Sequence, residues 1–503
     1  MKRVLPLFLG MAMFIASCTD DDSVIDGGGN GDGQEVTLNE PINDFVWKAM
    51  NSWYNWQTDS QNLADTKDDI TNDYHTFLNS YNDAEDFMYQ LCYKHWSVVG
   101  DGNAVDRFSW FIEDYEVQEK AFQGITTSFG IRYQPVQVTN DGDVILYLEF
   151  VSPDSPAGTA GMKRGDLISG LNGTSINTSN YSSVMSSLSD NTVTFTIAEI
   201  EGNSLKELDS KTITRAVVAD NPVHFYKVFE DVGGKKVGYL VYNGFRFSYN
   251  DELNEAFAFF KSEGINELVL DLRLNGGGSV ETTTFLASMI YAEAGTDIFA
   301  ELIFNSKHSG SNGAYNFSNT LNKYNAEGDS EGQESINRLS SINQLYVLAS
   351  GGTASASEMI INGLKPFMPV KVIGTRTYGK NVGSITLYDS PGTDFRAKST
   401  NQSHKNAMQP IVFQIYNKSG ESDYTQGFAP DIEVKEWQYW DNILPFGDEN
   451  EIILKTALDD IRGFAAKPET VKRHSDAKKL DFDDPDQKFE KEMYIHADFF
   501  AQP

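Results

Sequence analysis

Ser355 and Lys380 are the two side chains whose types and surroundings best suit covalent chemistry in this 503-residue chain. Ser355 stands in "ASGGTASASEMIINGLKPF" (349–367), where a Gly-Gly pair and small residues follow an apolar run and precede a helical pattern. A turn that opens a helix there aims backbone N–H groups, and the positive end of the helix dipole, at an oxyanion forming beside the serine. A serine nucleophile needs a base. The seven histidines stand in no triad motif, no G-x-S-x-G elbow occurs, and no H-E-x-x-H pair offers a metal site. Lys380 closes an apolar strand inside a Gly-containing loop, with Arg376 one of few charges near it in sequence. Burial disfavours an ammonium, so a neutral Lys380 amine could take the serine proton and return it to a leaving amine. The pattern predicts acyl transfer with no metal and no cofactor.

The elements that must position these residues are legible in the section from 219 to about 460. "KKVGYLVYNGF", "INELVLDLRLN", "INQLYVLAS" and "VKVIGTRTYGK" predict strands. "DELNEAFAFFKSEG", ending at Gly264, "VETTTFLASMIYAEAG" and "SASEMIINGLKPF" predict helices between them. Strand–helix alternation means a mostly parallel or mixed sheet covered by helices, an α/β core with its site at the strand C-terminal ends. The loops "LNGGGS", "ASGGTASAS" and "TYGKNVGS" leave from such ends. Asp271, closing a buried strand, reads as structural, and Glu358 reads as an acceptor for N–H groups of the first helical turn. The polar insertion from 305 to 335 is either a cover over the site or a plain loop.

Several function classes are excluded. A formal charge of −32 argues against nucleic acid, which requires a basic surface. Gly374 to Asn381, "GTRTYGKN", nearly matches a phosphate-binding loop, but Asn381 lacks the metal-binding hydroxyl and a strand pattern follows, so no nucleotide partner is expected.

Upstream, residues 1–18 carry Lys2 and Arg3, an apolar run from Val4 to Ala16, and then small residues, the plan of a secretory signal. Its ending, Ile15-Ala16-Ser17-Cys18, resembles a bacterial lipobox, which implies lipidation of Cys18 and a membrane partner through that anchor. The "TDDD" that follows resembles the acidic tract sending some Bacteroidetes lipoproteins to the cell surface, so an outer-membrane, surface-exposed place in the cell envelope is expected. Residues 19–37 are a Gly- and Asp-rich tether. Residues 38–118 predict a helical domain, with Ile42, Phe45, Val46, Ala49, Met50 and Trp53 on one face. After Cys18 only Cys92 remains, which excludes a disulfide within the mature chain and reads as a small buried hydrophobe. The tail, 469–503, is highly charged and either disordered or wrapped on the core.

Residues 119–218 alternate short strands with a brief Ala/Gly-rich helix, and resemble a PDZ domain through Phe129-Gly130-Ile131 and the run from Ser155-Pro156-Ala157 to Gly165-Asp166-Leu167-Ile168. That resemblance implies either that the Phe129–Ile131 loop offers N–H groups to a peptide's C-terminal carboxylate while the peptide adds a strand, or that the unit gates the site.

Four ordered motifs extend the resemblance to most of the chain: "LDLRLNGGG" (270–278), "TASASEMI" (353–360), "GTRTYGKNVG" (374–383) and "GFAPDIEV" (427–434). Together they resemble the C-terminal processing, or tail-specific, serine peptidases. The family implies a ClpP/crotonase-like core (219–468) with a PDZ-like β domain and an N-terminal helical domain, and protein or peptide substrates. It also implies Ser355 as nucleophile and Lys380, 25 residues later, as general base. The oxyanion donors it implies are Gly277 and Ala356, with Gly278 the close competitor. Thr353 and Ser384 depart from the pattern. Ser384 stands where the family often has the glutamine that orients the lysine, and is the candidate for that orienting role, able to hydrogen-bond but with a shorter reach. A second reading, from a different class, is a non-catalytic envelope lipoprotein that holds peptides or another ligand in the same cleft.

Overall fold

The computed structural model describes residues 36–67, 71–201, 204–325, 328–340, 342–398, 401, 403–464, 471–482, 484–487 and 490–495. Cys18, the signal sequence and most of the tether lie outside the described residues.

The first helix, Ile42–Trp53, follows Pro41 and buries the face its periodicity predicts: Phe45, Val46, Ala49, Met50 and Trp53 are all nearly inaccessible. Each such side chain contributes about 1.5–3 kcal/mol by leaving water. This face shares one continuous apolar cluster with the α/β core, including Leu240, Phe257, Leu286 and Phe413. Polar seams reinforce the junction: Trp53 Nε1 donates to Asp394 O (3.0 Å), and Asn55 N to Ile411 O (2.8 Å). Strand Trp110–Ile112 pairs antiparallel with Ala407–Gln409 of the core. Cys92 is buried, and burial pushes its thiol pKa well above the usual range.

The β-rich section has a core of its own around Phe129, Leu146, Ile168 and Phe195. Strands Ile131–Gln137, Val144–Val151, Leu167–Leu171, Thr192–Glu201 and Ser204–Thr214 lie side by side in that order, every pair antiparallel. Gly130, at φ +76°, sits so close to Ser155 that an added Cβ would lie 2.0 Å from the serine Cβ. Ser155 caps the short helix Pro156–Thr159 by accepting from Gly158 N at 3.1 Å.

In the α/β core, Val223–Phe229 runs antiparallel to Val237–Tyr242, and then Glu267–Asp271, Leu345–Ala349 and Val370–Gly374 follow in parallel. The middle three strands are buried along their whole length because helices cover both faces. Asn250–Glu263 and Ala356–Leu364 pack on one side and Ile452–Ile461 on the other. Gly264, at φ +66°, ends the first of these in a left-handed cap. The polar insertion is ordered as strands: Gly313–Asn316 joins Ile298–Phe304, and Thr320–Tyr324 forms a hairpin with Ser330–Ser335. It is therefore not a plain loop.

Asp271 is structural. Its carboxylate pairs with Arg273 at 2.6 Å and accepts the Tyr239 hydroxyl at 2.8 Å, while the same guanidinium reaches Glu436 (2.7 Å) and Glu451 (3.0 Å). All of these groups are buried, so removing one carboxylate unbalances charges that water cannot reach. Asp271→Ala should lower stability by about 3–5 kcal/mol, read as a fall in the urea midpoint; an unchanged midpoint would contradict this role.

Candidate active site

The strand Leu345–Ala349 delivers the chain to a turn held by hydroxyls. Ser350 Oγ donates to Arg273 O (2.6 Å), Thr353 Oγ1 to Leu272 O (2.7 Å), and Ser357 Oγ to Asn275 O (2.9 Å). Thr353 thus supplies the same hydroxyl function as a serine. These bonds bring the turn against the glycine loop after Asp271.

At the end of the turn Ser355 adopts φ +62° and ψ −116°, a strained conformation for a residue with a Cβ. It is fully buried, and its Oγ has no hydrogen-bond partner. A strained, buried, unpartnered hydroxyl at a helix start is poor structural practice and good nucleophile placement.

Glu358 does more than cap its helix. It accepts from Ser355 N (2.9 Å), and also from Gly379 N (2.8 Å), Lys380 N (2.8 Å) and Thr377 Oγ1 (2.6 Å). One carboxylate therefore ties the serine turn to the lysine loop. Burial pushes its pKa up against the pull of those four bonds.

Lys380 is fully buried, with Nζ 4.8 Å from the centre of the Phe108 ring. Burial lowers its pKa, while Glu492 and Asp106 pull it up and Arg107 pushes it down. Its Nζ donates to Lys491 O (2.8 Å) and Glu492 Oε2 (2.9 Å). Burial raises the Glu492 carboxyl to about 7 despite the ammonium beside it.

In the glycine loop both N–H groups are engaged: Gly277 N–H by Asn275 Oδ1 of the same loop at 3.0 Å, and Gly278 N–H by the carbonyl of Glu492, a tail residue, at 2.5 Å. Gly278 therefore stands beside Gly277 as a candidate donor, together with Ala356, whose N–H opens its helix and has no intrahelical partner. Gly277 is needed for space: an added Cβ would lie 2.3 Å from Glu492 O and 2.8 Å from Ser355 Cβ. Ser384 does not meet the lysine directly but hydrogen-bonds Glu492, which does. Its Oγ donates to Met493 O (3.1 Å) and accepts from Gln409 Nε2 (2.9 Å), while the lysine amine is met by Glu492 and Lys491 O. Phe129, Gly130 and Ile131 lie apart from this centre, in the β-rich section.

A serine–histidine–aspartate group occurs elsewhere without triad geometry. Ser52 Oγ lies 2.9 Å from His308 Nε2, and Asp394 approaches that same nitrogen at 3.9 Å rather than the opposite one, where a triad aspartate stands. Among the described residues no metal-holding cluster occurs.

The sequence profile of Peptidase family S41 matches residues 236–434, and that of the S41 N-terminal domain matches residues 41–110. The chain belongs to peptidase family S41. The 236–434 match contains Ser355, Glu358, Lys380 and the glycine loop, and the 41–110 match contains Asp106, Arg107 and Phe108 beside the lysine. This S41 chain is 27% identical over 280 residues to the chloroplastic carboxyl-terminal-processing peptidase 1 of Arabidopsis thaliana, covering 55% of the chain and 52% of the relative. Against the carboxyl-terminal-processing protease of Picosynechococcus sp. identity is 24% over 273 residues, covering 54% and 58%. The chain thus spans about half the length of the curated relatives it matches. A crystal structure of a putative S41 protease from Bacteroides fragilis NCTC 9343 superposes with a TM-score of 0.63 at 27% identity, over 84% of this chain and 97% of that one. The mixed α/β fold with a helical N-terminal region, expected from the sequence, is borne out.

Glu492 and Asn275 were missed by sequence reasoning. Asn275 lies inside the "LRLNGGG" motif, and an asparagine before three glycines was the available signal. Nothing in the charged tail marks Glu492.

Proposed function

We propose that this S41 chain is a serine endopeptidase that cleaves peptide bonds of proteins or peptides with Ser355 as nucleophile and Lys380 as general base. The observation that carries the reading is the buried, unpartnered Ser355 Oγ at positive φ, tied through Glu358 to a dehydrated lysine. A neutral Lys380 takes the Ser355 proton as Oγ attacks the scissile carbonyl. Gly278 and Ala356 N–H groups receive the oxyanion. The ammonium then protonates the leaving amine, and water, deprotonated by the same amine, releases the acyl group.

Activity should rise with pH as Lys380 loses its proton, with a midpoint below the ordinary lysine range because burial depresses its pKa. Peptide turnover measured across pH tests this. A rate that falls toward alkaline pH would oppose the assignment.

The β-rich section acts in this proposal as a PDZ-like unit that receives the C-terminus of a substrate at Phe129–Ile131. Lipid on Cys18 places the enzyme on the cell-envelope membrane. Cys18→Ser should move the protein from the membrane to the soluble fraction with kcat/KM unchanged, and membrane retention of that variant would refute the anchor.

A further inference from the structure

One stretch of the chain touches both places that a substrate would need. Lys478–Lys479 add antiparallel to Val136–Gln137, at the free edge of the strand that begins beside Phe129–Gly130. Leu480 N donates to Pro135 O (3.0 Å) and Leu480 O accepts from Gln134 Nε2 (3.0 Å). Leu480 and Phe482 pack on the β-section core. Farther on, the Asp486 carboxylate pairs with Arg215 and meets the Phe129 N–H. A strand laid antiparallel along this edge, with a carboxylate at the loop where the edge begins, is the arrangement of an added peptide.

The same stretch then enters the serine–lysine centre. Glu490 pairs with Arg132 at 2.7 Å. Lys491 O and the Glu492 carboxylate both accept from Lys380 Nζ, and Glu492 O accepts from Gly278 N. Met493–Tyr494 run parallel to Gly278–Ser279, and Tyr494 stacks on Phe122 with ring centres 4.0 Å apart. The base is therefore engaged by two acceptors, neither of which is Ser355, and an oxyanion donor holds a carbonyl of the chain itself.

We propose that the described tail residues 478–482, 484–487 and 490–495 act as an intramolecular inhibitory segment, which fills the peptide-binding edge and the catalytic cleft together and must leave both before a substrate is cleaved. The proposal rests on the peptidase reading above. The arrangement is unproductive because the Glu492 carboxylate beside Nζ favours the ammonium, which has no lone pair for the Ser355 proton, and because Glu492 O occupies the Gly278 N–H. A cleft of about 540 Å³ between the two sections, bordered by Arg132, Tyr378, Lys479 and Lys491, adjoins the strand and offers a displacing polypeptide a path.

Deleting the strand would remove the buried Met493 and Tyr494, so substitutions in the full chain are the better test. Glu492→Gln removes the charge holding Lys380, and Phe482→Asp weakens the contact with the β-section core. Turnover of a quenched peptide follows the fraction of molecules with an open cleft, so each variant should raise it at least about tenfold near neutral pH. Glu492→Gln should also move the alkaline midpoint down, since the Glu492 charge raises the Lys380 pKa while Asp106 and Arg107, its other charged neighbours, are unchanged. Wild-type turnover, probe labelling and pH midpoint in both variants, with Ser355→Ala inactive, would overturn the inhibitory role alone. Turnover persisting in Glu492→Gln/Ser355→Ala would instead sink the peptidase reading, and the inhibitory role with it.

Discussion

Ser355→Ala should reduce kcat/KM on peptides by about 10⁴-fold or more and leave the folded state as stable as before. The two halves of that result come from one feature. The Oγ is buried without a partner, so its removal strands no donor or acceptor, and the desolvation cost of an unsatisfied hydroxyl disappears. Alanine at φ +62° carries about the same backbone strain as serine, because both have a Cβ. A hydroxyl kept at a place where it does nothing for stability is kept for reactivity. Lys380→Arg should be nearly as inactive, since a guanidinium that stays charged cannot accept a proton. Thermal unfolding beside peptide kinetics checks the pair of claims; a Ser355→Ala variant that loses several degrees of Tm would show the hydroxyl to be structural.

Glu358→Ala is expected to damage both properties at once. Three N–H groups and the Thr377 hydroxyl converge on this carboxylate, and alanine would leave all four buried without an acceptor. The stability loss should be about 3–5 kcal/mol. The rate should fall by more than about 10²-fold, because the serine turn and the lysine loop lose their common tie and misplacement on the ångström scale is enough for that. Glu358→Gln keeps the shape but turns one acceptor into a donor facing N–H groups, so it should fall between. Equal rates for wild type and Glu358→Ala would show that the tie does not position the dyad.

These two residues also show how far the sequence could be read. The core strands were visible because parallel strands buried on both faces become uninterrupted apolar runs, as in Leu345–Ala349. Ser355 and Lys380 were visible because glycine and small residues around a nucleophile, and an isolated lysine at a strand end, are unusual in themselves. Glu358 was assigned to its own helix turn, since nothing in a one-dimensional string reveals that the loop around Lys380 folds back onto it. The choice between Gly277 and Gly278 as donor was hidden for a similar reason: the partners of their N–H groups, the Asn275 side chain and the Glu492 carbonyl, come from the loop's own fold and from the distant tail. The insertion from 305 to 335 was too polar for a strand reading, yet cross-strand pairing in a hairpin requires little burial. Least visible was the tail. Its charges left disorder and wrapping on the core both open, and its partners, Gln134, Arg215 and Lys380, lie more than 100 residues away in sequence.

The most direct test of the serine–lysine assignment is mass-spectrometric mapping of a serine-reactive phosphonate probe across pH on wild type, Ser355→Ala and Lys380→Arg. The account predicts modification at Ser355 in wild type, increasing toward alkaline pH, with none at that position in Ser355→Ala and little in Lys380→Arg. Labelling of a different serine that tracks peptide turnover, or full labelling of Ser355 in Lys380→Arg, would contradict it.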